Sequence, residues 1–334
     1  MQEGNEPMTS QVGGGSGTTT ARTQPTAPEA DTETGPSGAA PMPGKTATAV
    51  LDALMPDAIA LAAEDLGVRK ARYDPATLFT LAVLAGAFIA LGGLFATVAM
   101  SGAATGSEIT LPYGVTRLLG GLVFSLGLIL VIVGGAQLFT GDALMVMAWA
   151  SGRLKTAEMV RVWVTVWVGN FVGAAGTALL VFLSGQYAFS HGAVATTALY
   201  FASAKSGLPV MQAFFLGILC NVLVCLAVWL SLGARSVTDK ILAIVFPVSA
   251  FVAAGFEHCV ANMYFVPLGL LIEWGAPDTL WADLRLSPDA LPPIPVGQFL
   301  VNLGAVTLGN WIGGTVLVGG VYWFIYRRPG RAAH

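Results

Sequence analysis

Six stretches of this chain are long and apolar enough to cross a lipid bilayer, and no other feature constrains its fold as much. A helix spanning the hydrocarbon core needs about 20 predominantly apolar residues. Residues 77–100, 210–232 and 298–326 meet that need without a charged side chain, and 159–183 meets it with Arg161 at its entry. Two more stretches are interrupted. Residues 115–150 are broken by Gly134-Gly135 and again by Thr140-Gly141-Asp142, and 241–272 by Gly255-Phe256-Glu257-His258. Backbone in hydrocarbon must satisfy its own hydrogen bonds, so the pattern predicts an all-α membrane protein with six transmembrane helices, two and five broken. Only 10% of the 334 residues are charged, against about a quarter in soluble chains.

Basic residues set the orientation. Arg69, Lys70 and Arg72 precede the first span, and Arg153, Lys155 and Arg161 join the second to the third. Arg235 and Lys240 join the fourth to the fifth, and Arg327, Arg328 and Arg331 follow the sixth. The alternate connections hold Glu108, then Lys205, then Glu273, Asp278, Asp283 and Asp289 against Arg285. Both termini are therefore expected on the cytoplasmic side of a plasma (inner) membrane, crossed several times.

Residues 1–45 are rich in Gly, Pro, Ser, Thr and Ala and poor in large apolar side chains, which reads as a disordered tail. The tail lacks the basic start and apolar core of a signal peptide. Residues 46–76 read as a lead-in with an amphipathic helix over 50–66 on the cytoplasmic face. Residues 77–326 form the six-span domain and 327–334 a short cytoplasmic tail. Outside the loops no basic stripe offers itself to nucleic acid. Cys220, Cys225 and Cys259 lie in apolar stretches as small packing residues. With His191 in a loop and His334 at the terminus, His258 has no second histidine within a span, so neither a haem nor a tetrahedral metal site, nor another cofactor, is implied.

The halves of the six-span domain echo each other. Span three carries Gly169-Asn170-Phe171-Val172-Gly173 and span six Gly309-Asn310-Trp311-Ile312-Gly313. Glycines at this spacing let helices approach closely, and the Asn amide finds partners across the contact. Three spans per half force the second half to insert upside down. Broken spans at matching places in inverted repeats point to a binding site near the midplane. Half-helices restarting near Gly141 and Cys259 present unpaired N–H groups, which suits an anion. Thr140 is placed to cap the first or to offer its hydroxyl. Glu257 and His258 sit at membrane depth, where ionisable groups are functional by default. His258 can change charge near neutral pH. Glu257 is expected to pair with His258, cap backbone amides or hold the loop, and Lys205, in a loop, to draw anions to a pore mouth.

At Leu138-Phe139-Thr140-Gly141-Asp142, Gly217-Ile218-Leu219-Cys220-Asn221 and Phe256-Glu257-His258-Cys259-Val260-Ala261-Asn262-Met263 the sequence resembles the formate/nitrite transporter family. The likeness continues through Val301-Asn302-Leu303 and Val306-Thr307-Leu308-Gly309-Asn310 and covers residues 51–328. It implies a homopentamer of aquaporin-like protomers, each built of two inverted three-helix repeats with its own pore. It places Thr140 and His258 at the centre of the pore and Lys205 in a vestibule, with Asn221 and Asn302 on the lining. The constrictions it implies are Phe124, Leu128 and Phe251 on the outer side and Leu138 with Phe139 on the inner. The function implied is passage of formate first, nitrite second, or a similar small anion across the lipid bilayer, without enzymatic chemistry. His258 would then serve as proton donor or as anion attractor. An aquaporin-like channel for neutral solutes is the alternative, disfavoured because the chain has no Asn-Pro-Ala pair.

Overall fold

The computed structural model describes residues 52–101, 111–284 and 293–328. The expected tail over 1–45 lies outside them, as do Glu108, Arg285, Asp289 and Arg331. Every regular element among the described residues is helical. Helix α1 is Pro56–Ala71, α2 is Pro75–Met100 and α3 is Tyr113–Gly134. Then follow α4, Phe139–Ala150, and α5, Thr156–Leu183. The next are α6, Ala193–Ser206, α7, Val210–Gly233, α8, Val237–Ala253, and α9, Cys259–Gly275. A short α10, Asp278–Leu284, and α11, Val296–Tyr326, complete the set. Five of these are long and apolar enough to span a membrane, and six when α9 and α10, bent by 102°, are taken as one span.

Thr140-Gly141-Asp142, expected to interrupt the span again, forms the first turn of α4, whereas the expected breaks at Gly134-Gly135 and Gly255 are present and built alike. Each ends the preceding helix on a glycine in the left-handed region, Gly135 at φ 83° and Gly255 at φ 75°. The next amide then closes back on the helix: Ala136 N donates to Val131 O at 2.9 Å, and Phe256 N to Phe251 O at 3.0 Å. This is the glycine-terminated helix end that side-chain-bearing residues resist. Where the chain resumes, a buried Asn from the facing span holds it. Asn170 Oδ1 accepts from Phe139 N at 2.9 Å, and its Nδ2 donates to Gln137 O and Ala82 O. Asn310 repeats the arrangement, with Oδ1 accepting from Cys259 N at 2.9 Å and Nδ2 donating to Glu257 O and Gly217 O. Gln137 N to Leu81 O and Glu257 N to Leu216 O complete the correspondence. The repeat thus holds in hydrogen bonds as well as in sequence, and it matches α2 with α7, α4 with α9 and α5 with α11. The first half-helix starts at Phe139, two residues before the expected Gly141. Asn170, acting from another span, supplies its cap, so Thr140 does not.

The glycine pairs beside these asparagines set the helix spacing. A Cβ on Gly173 would overlap the carbonyl oxygen of Val83, and one on Gly313 the carbonyl oxygen of Ile218. These two positions correspond in the repeat, so helices α2 with α5 and α7 with α11 approach backbone to backbone.

Helix α1 runs later than the expected 50–66, and its apolar side packs on protein. Ile59, Ala60 and Ala63 lie against Met147 of α4 and Trp229 of α7. Glu64, fully buried, accepts from Ser151 Oγ at 2.5 Å, Arg153 Nη1 at 3.1 Å and Arg327 Nε at 2.9 Å. The helix carries a carboxylate that those cations need, which fixes it beneath the ends of α4, α7 and α11. The end of the bundle bearing α1 and Arg327 is called the terminal face below, and the other the far face.

Candidate functional site

The two half-helix starts meet at Thr140 and His258. Thr140 lies one residue into α4, and His258 is the N-cap of α9. Their side chains are 0% and 2% exposed, and Thr140 Oγ1 stands 3.0 Å from His258 Nε2. The other ring nitrogen, Nδ1, accepts the amide of Ala261 at 3.1 Å. An acceptor at Nδ1 leaves the proton of a neutral ring on Nε2. Nε2–H therefore donates to Thr140 Oγ1, and the threonine hydroxyl hydrogen is left to be offered elsewhere. Asn221 steadies this joint from α7: its Nδ2 donates to Thr140 O at 3.2 Å and to Asn310 O at 2.6 Å.

A cavity lies on each side of the joint; the far-face one reaches His258, and the terminal-face one stops at Leu138 and Gly141, with Thr140 on neither wall. The far-face cavity, about 60 Å³, is lined by Arg117, Phe124, Lys205, Phe251, His258 and Phe265 among others. Phe251 stacks on His258 with centroids 6.0 Å apart and meets Phe124 edge-on at 5.8 Å. Lys205 belongs to the last turn of α6 rather than to a solvated loop. Its Nζ donates to Glu257 Oε1 at 2.8 Å and lies 5.6 Å from the Phe265 ring centre. Glu257 thus pairs with Lys205, not with His258. Its second oxygen accepts from Asn262 Nδ2 at 2.7 Å, which also donates to Asn302 Oδ1 at 3.0 Å. Asn302 in turn donates to Lys205 O at 2.9 Å. The terminal-face cavity is larger, about 320 Å³, with Arg69, Lys70, Leu128, Gln137, Leu138 and Lys240 on its wall. Lys70 forms an ion pair with Asp142, whose side chain is fully buried in the first turn of α4.

Several expected positions shift. Leu128, grouped by the resemblance with Phe124 and Phe251, lines the terminal-face cavity beside Leu138. It lies one helical turn beyond Phe124, about 6 Å along the axis, so the two flank the joint from opposite sides. Phe139 lines neither cavity, because successive helical residues point about 100° apart. Asn221 is likewise on neither wall, and Asn302 faces a third hollow at the far face. Three residues went unread in the sequence. Arg117, one turn into α3, donates from Nη2 to Val252 O and lines the far-face cavity. A single cation inside an apolar stretch was the available signal. Lys70 counted only as an orientation charge, and Asp142 only as part of a motif.

Together these features define a multi-pass membrane protein of inverted repeats, with a polar joint between two cavities and the architecture of a channel or transporter. Comparison with known proteins gives the family. The Formate/nitrite transporter family model matches residues 57–324. The formate channel FocA of Escherichia coli (strain K12) is 44% identical over 278 residues, covering 83% of this chain and 96% of that protein. The nitrite transporter NirC of Salmonella typhimurium is 34% identical over 254 residues, covering 72% and 86%. A solved pentameric formate channel with formate bound superposes with a TM-score of 0.71 at 42% identity, over 76% of this chain and 98% of that one. The chain belongs to the formate/nitrite transporter family.

Proposed function

We propose that the chain forms a homopentamer in the plasma (inner) membrane with both termini cytoplasmic. Each protomer passes small monovalent weak-acid anions, formate first and nitrite second, past Thr140 and His258. The observation that carries this reading is the 3.0 Å contact between Thr140 Oγ1 and His258 Nε2 where two half-helices meet. Beyond the Lys205–Glu257 and Lys70–Asp142 ion pairs, the cavities carry Arg117 on one side and Arg69 and Lys240 on the other, which favours an anion over a neutral solute. The substrates of the relatives support formate and nitrite, and the pentameric relative supports the assembly.

A bare anion crossing the apolar walls at Phe124, Phe251, Leu128 and Leu138 would cost several kcal/mol or more. At the joint the Thr140 hydroxyl, with its hydrogen free, can donate to that anion. Proton-coupled passage asks more of His258. With Nδ1 engaged as an acceptor, the neutral ring has to take up a second proton there before it can release one, which means letting go of the Ala261 amide. Crossing as the neutral acid is thus tied to a momentary loosening of the first turn of α9.

The test is isotope-labelled formate uptake into proteoliposomes between about pH 5 and 8, where histidines titrate. His258→Asn keeps a polar group but cannot ionise, and is expected to flatten the pH dependence of the wild type. An unchanged profile in His258→Asn would remove His258 from proton handling and leave it as the cap of α9.

A further inference from the structure

Helices α3 and α8 pack antiparallel: Arg117 donates to Val252 O, a Cβ on Gly121 would overlap the Ser249 carbonyl, and Ser125 Oγ donates to Val245 O at 3.4 Å. The start of each helix therefore lies beside the end of the other, near the glycine at which that other helix stops. Each start carries one cation there, about one turn in. Arg117 of α3 lines the far-face cavity with Val252 and Phe256, about the end of α8. Lys240 of α8 lines the terminal-face cavity with Ile132 and Gly135, about the end of α3. The negative end of a helix dipole favours a cation, which accounts for both placements.

Neither cation is neutralised. No acid lines either cavity, and among the described residues neither Arg117 nor Lys240 forms an ion pair. Lys205 and Lys70, on the same two walls, are instead paired with the buried carboxylates of Glu257 and Asp142. Arg69 is exposed on α1, outside the repeat.

Both cations also keep donors to spare. The Arg117 guanidinium is half-buried and partly engaged: Nη2 donates to Val252 O, Nε is sealed off without a partner, and Nη1, also unpartnered, is the nitrogen left open to the cavity that reaches His258. The Lys240 side chain makes no hydrogen bond among the described residues. Charged donors that the protein leaves unused on a cavity wall are available to an anion.

We propose that Arg117 and Lys240 are two docking stations for a small monovalent anion, one on each side of the Thr140–His258 joint. The inverted repeat produces the pair, since each broken helix brings a cation to the end of the other. The assignment deepens the reading of the passage, and its consequences for flux rest on that reading. It moves the drawing of anions from Lys205 and Lys70, whose charges are held by Glu257 and Asp142, to the two cations without a carboxylate.

Crystals of the full chain soaked in bromide, a monovalent anion that scatters anomalously, should show one peak beside Arg117 Nη1 and one beside Lys240 Nζ. Each peak should vanish in its own variant, Arg117→Gln or Lys240→Gln, and stay in the other, while Arg117→Lys keeps the charge and its peak. In proteoliposomes, kcat/KM for labelled formate exchange is expected to fall about threefold or more in either Gln variant at about 0.1 M potassium gluconate. That loss should fade at about 1 M, where the screening length drops from about 10 Å to about 3 Å. A purely structural part would not follow the salt. Lys240→Gln removes no hydrogen bond, so it carries the test if Arg117→Gln does not fold. No peaks, or peaks at Lys205 and Lys70 instead, would overturn the proposal. Peaks at both cations with wild-type exchange and salt dependence in the variants would make bromide an adventitious ion only, and would overturn it as well. A wild type without formate exchange, its peaks still tied to Arg117 and Lys240, would remove the passage and leave the stations.

Discussion

A buried lysine and aspartate meet where α1 touches α4, and the pair shows how much one contact can decide. Asp142 is wholly buried and Lys70 nearly so, with a side chain 12% exposed. Removing one partner of a buried pair strands the other charge and costs about 3–5 kcal/mol, while replacing both by neutral groups costs far less. Lys70→Met is therefore expected to lower the unfolding free energy of the detergent-solubilised protein by about that amount. Adding Asp142→Asn should restore most of the loss, and a double-mutant cycle measures it. At the same scale, Leu138→Ala thins the wall of the terminal-face cavity. Lactate flux should rise relative to formate flux in proteoliposomes carrying that variant, and equal ratios would place the constriction elsewhere.

Each broken span depends on an element it does not belong to. Asn170 on α5 satisfies both sides of the break before α4, and Asn310 on α11 does so before α9. Leucine at either position would leave a buried amide without its acceptor, at about 1–3 kcal/mol for the amide itself. Because the arrangement is repeated, Asn170→Leu and Asn310→Leu are expected to destabilise by similar amounts, readable as matched drops in thermal unfolding temperature. Markedly unequal drops would mean that one break has support that the other lacks. The breaks themselves were legible. Gly134-Gly135 and Gly255 within apolar runs announced them, and the left-handed backbone at Gly135 and Gly255 is the reason glycine stands there. That each Asn would be the clamp was not legible, since Gly-Asn-x-x-Gly reads equally well as simple packing.

For the whole molecule, α1 and the end of α11 form one unit through Glu64, Arg153 and Arg327. Residues 1–43 hold few large apolar side chains. Deleting them should leave the assembly intact, seen as the same number of chains per particle by light scattering in detergent, with formate uptake preserved. Loss of the oligomer would show that the tail contributes to assembly.

The sequence by itself determined that the chain lives in a membrane, because apolar segments of spanning length have no other stable place. It determined the two breaks and the internal repeat, since glycine and Asn positions are local and periodic signals. It also brought out Thr140 and His258, as polar groups at depth stand out against an apolar background. Tertiary structure alone decided the partners. Glu257 has Lys205 on one oxygen and Asn262 on the other, 52 residues and 5 residues away along the chain. Lys70 reaches Asp142 across 72 residues. Leu128 parts from Phe124 only because the joint falls between them. Hydropathy and spacing report each helix by its own side chains, whereas a charge buried in a membrane is stabilised by whichever group the packing brings within about 3 Å, and that is fixed only when the helices close on one another.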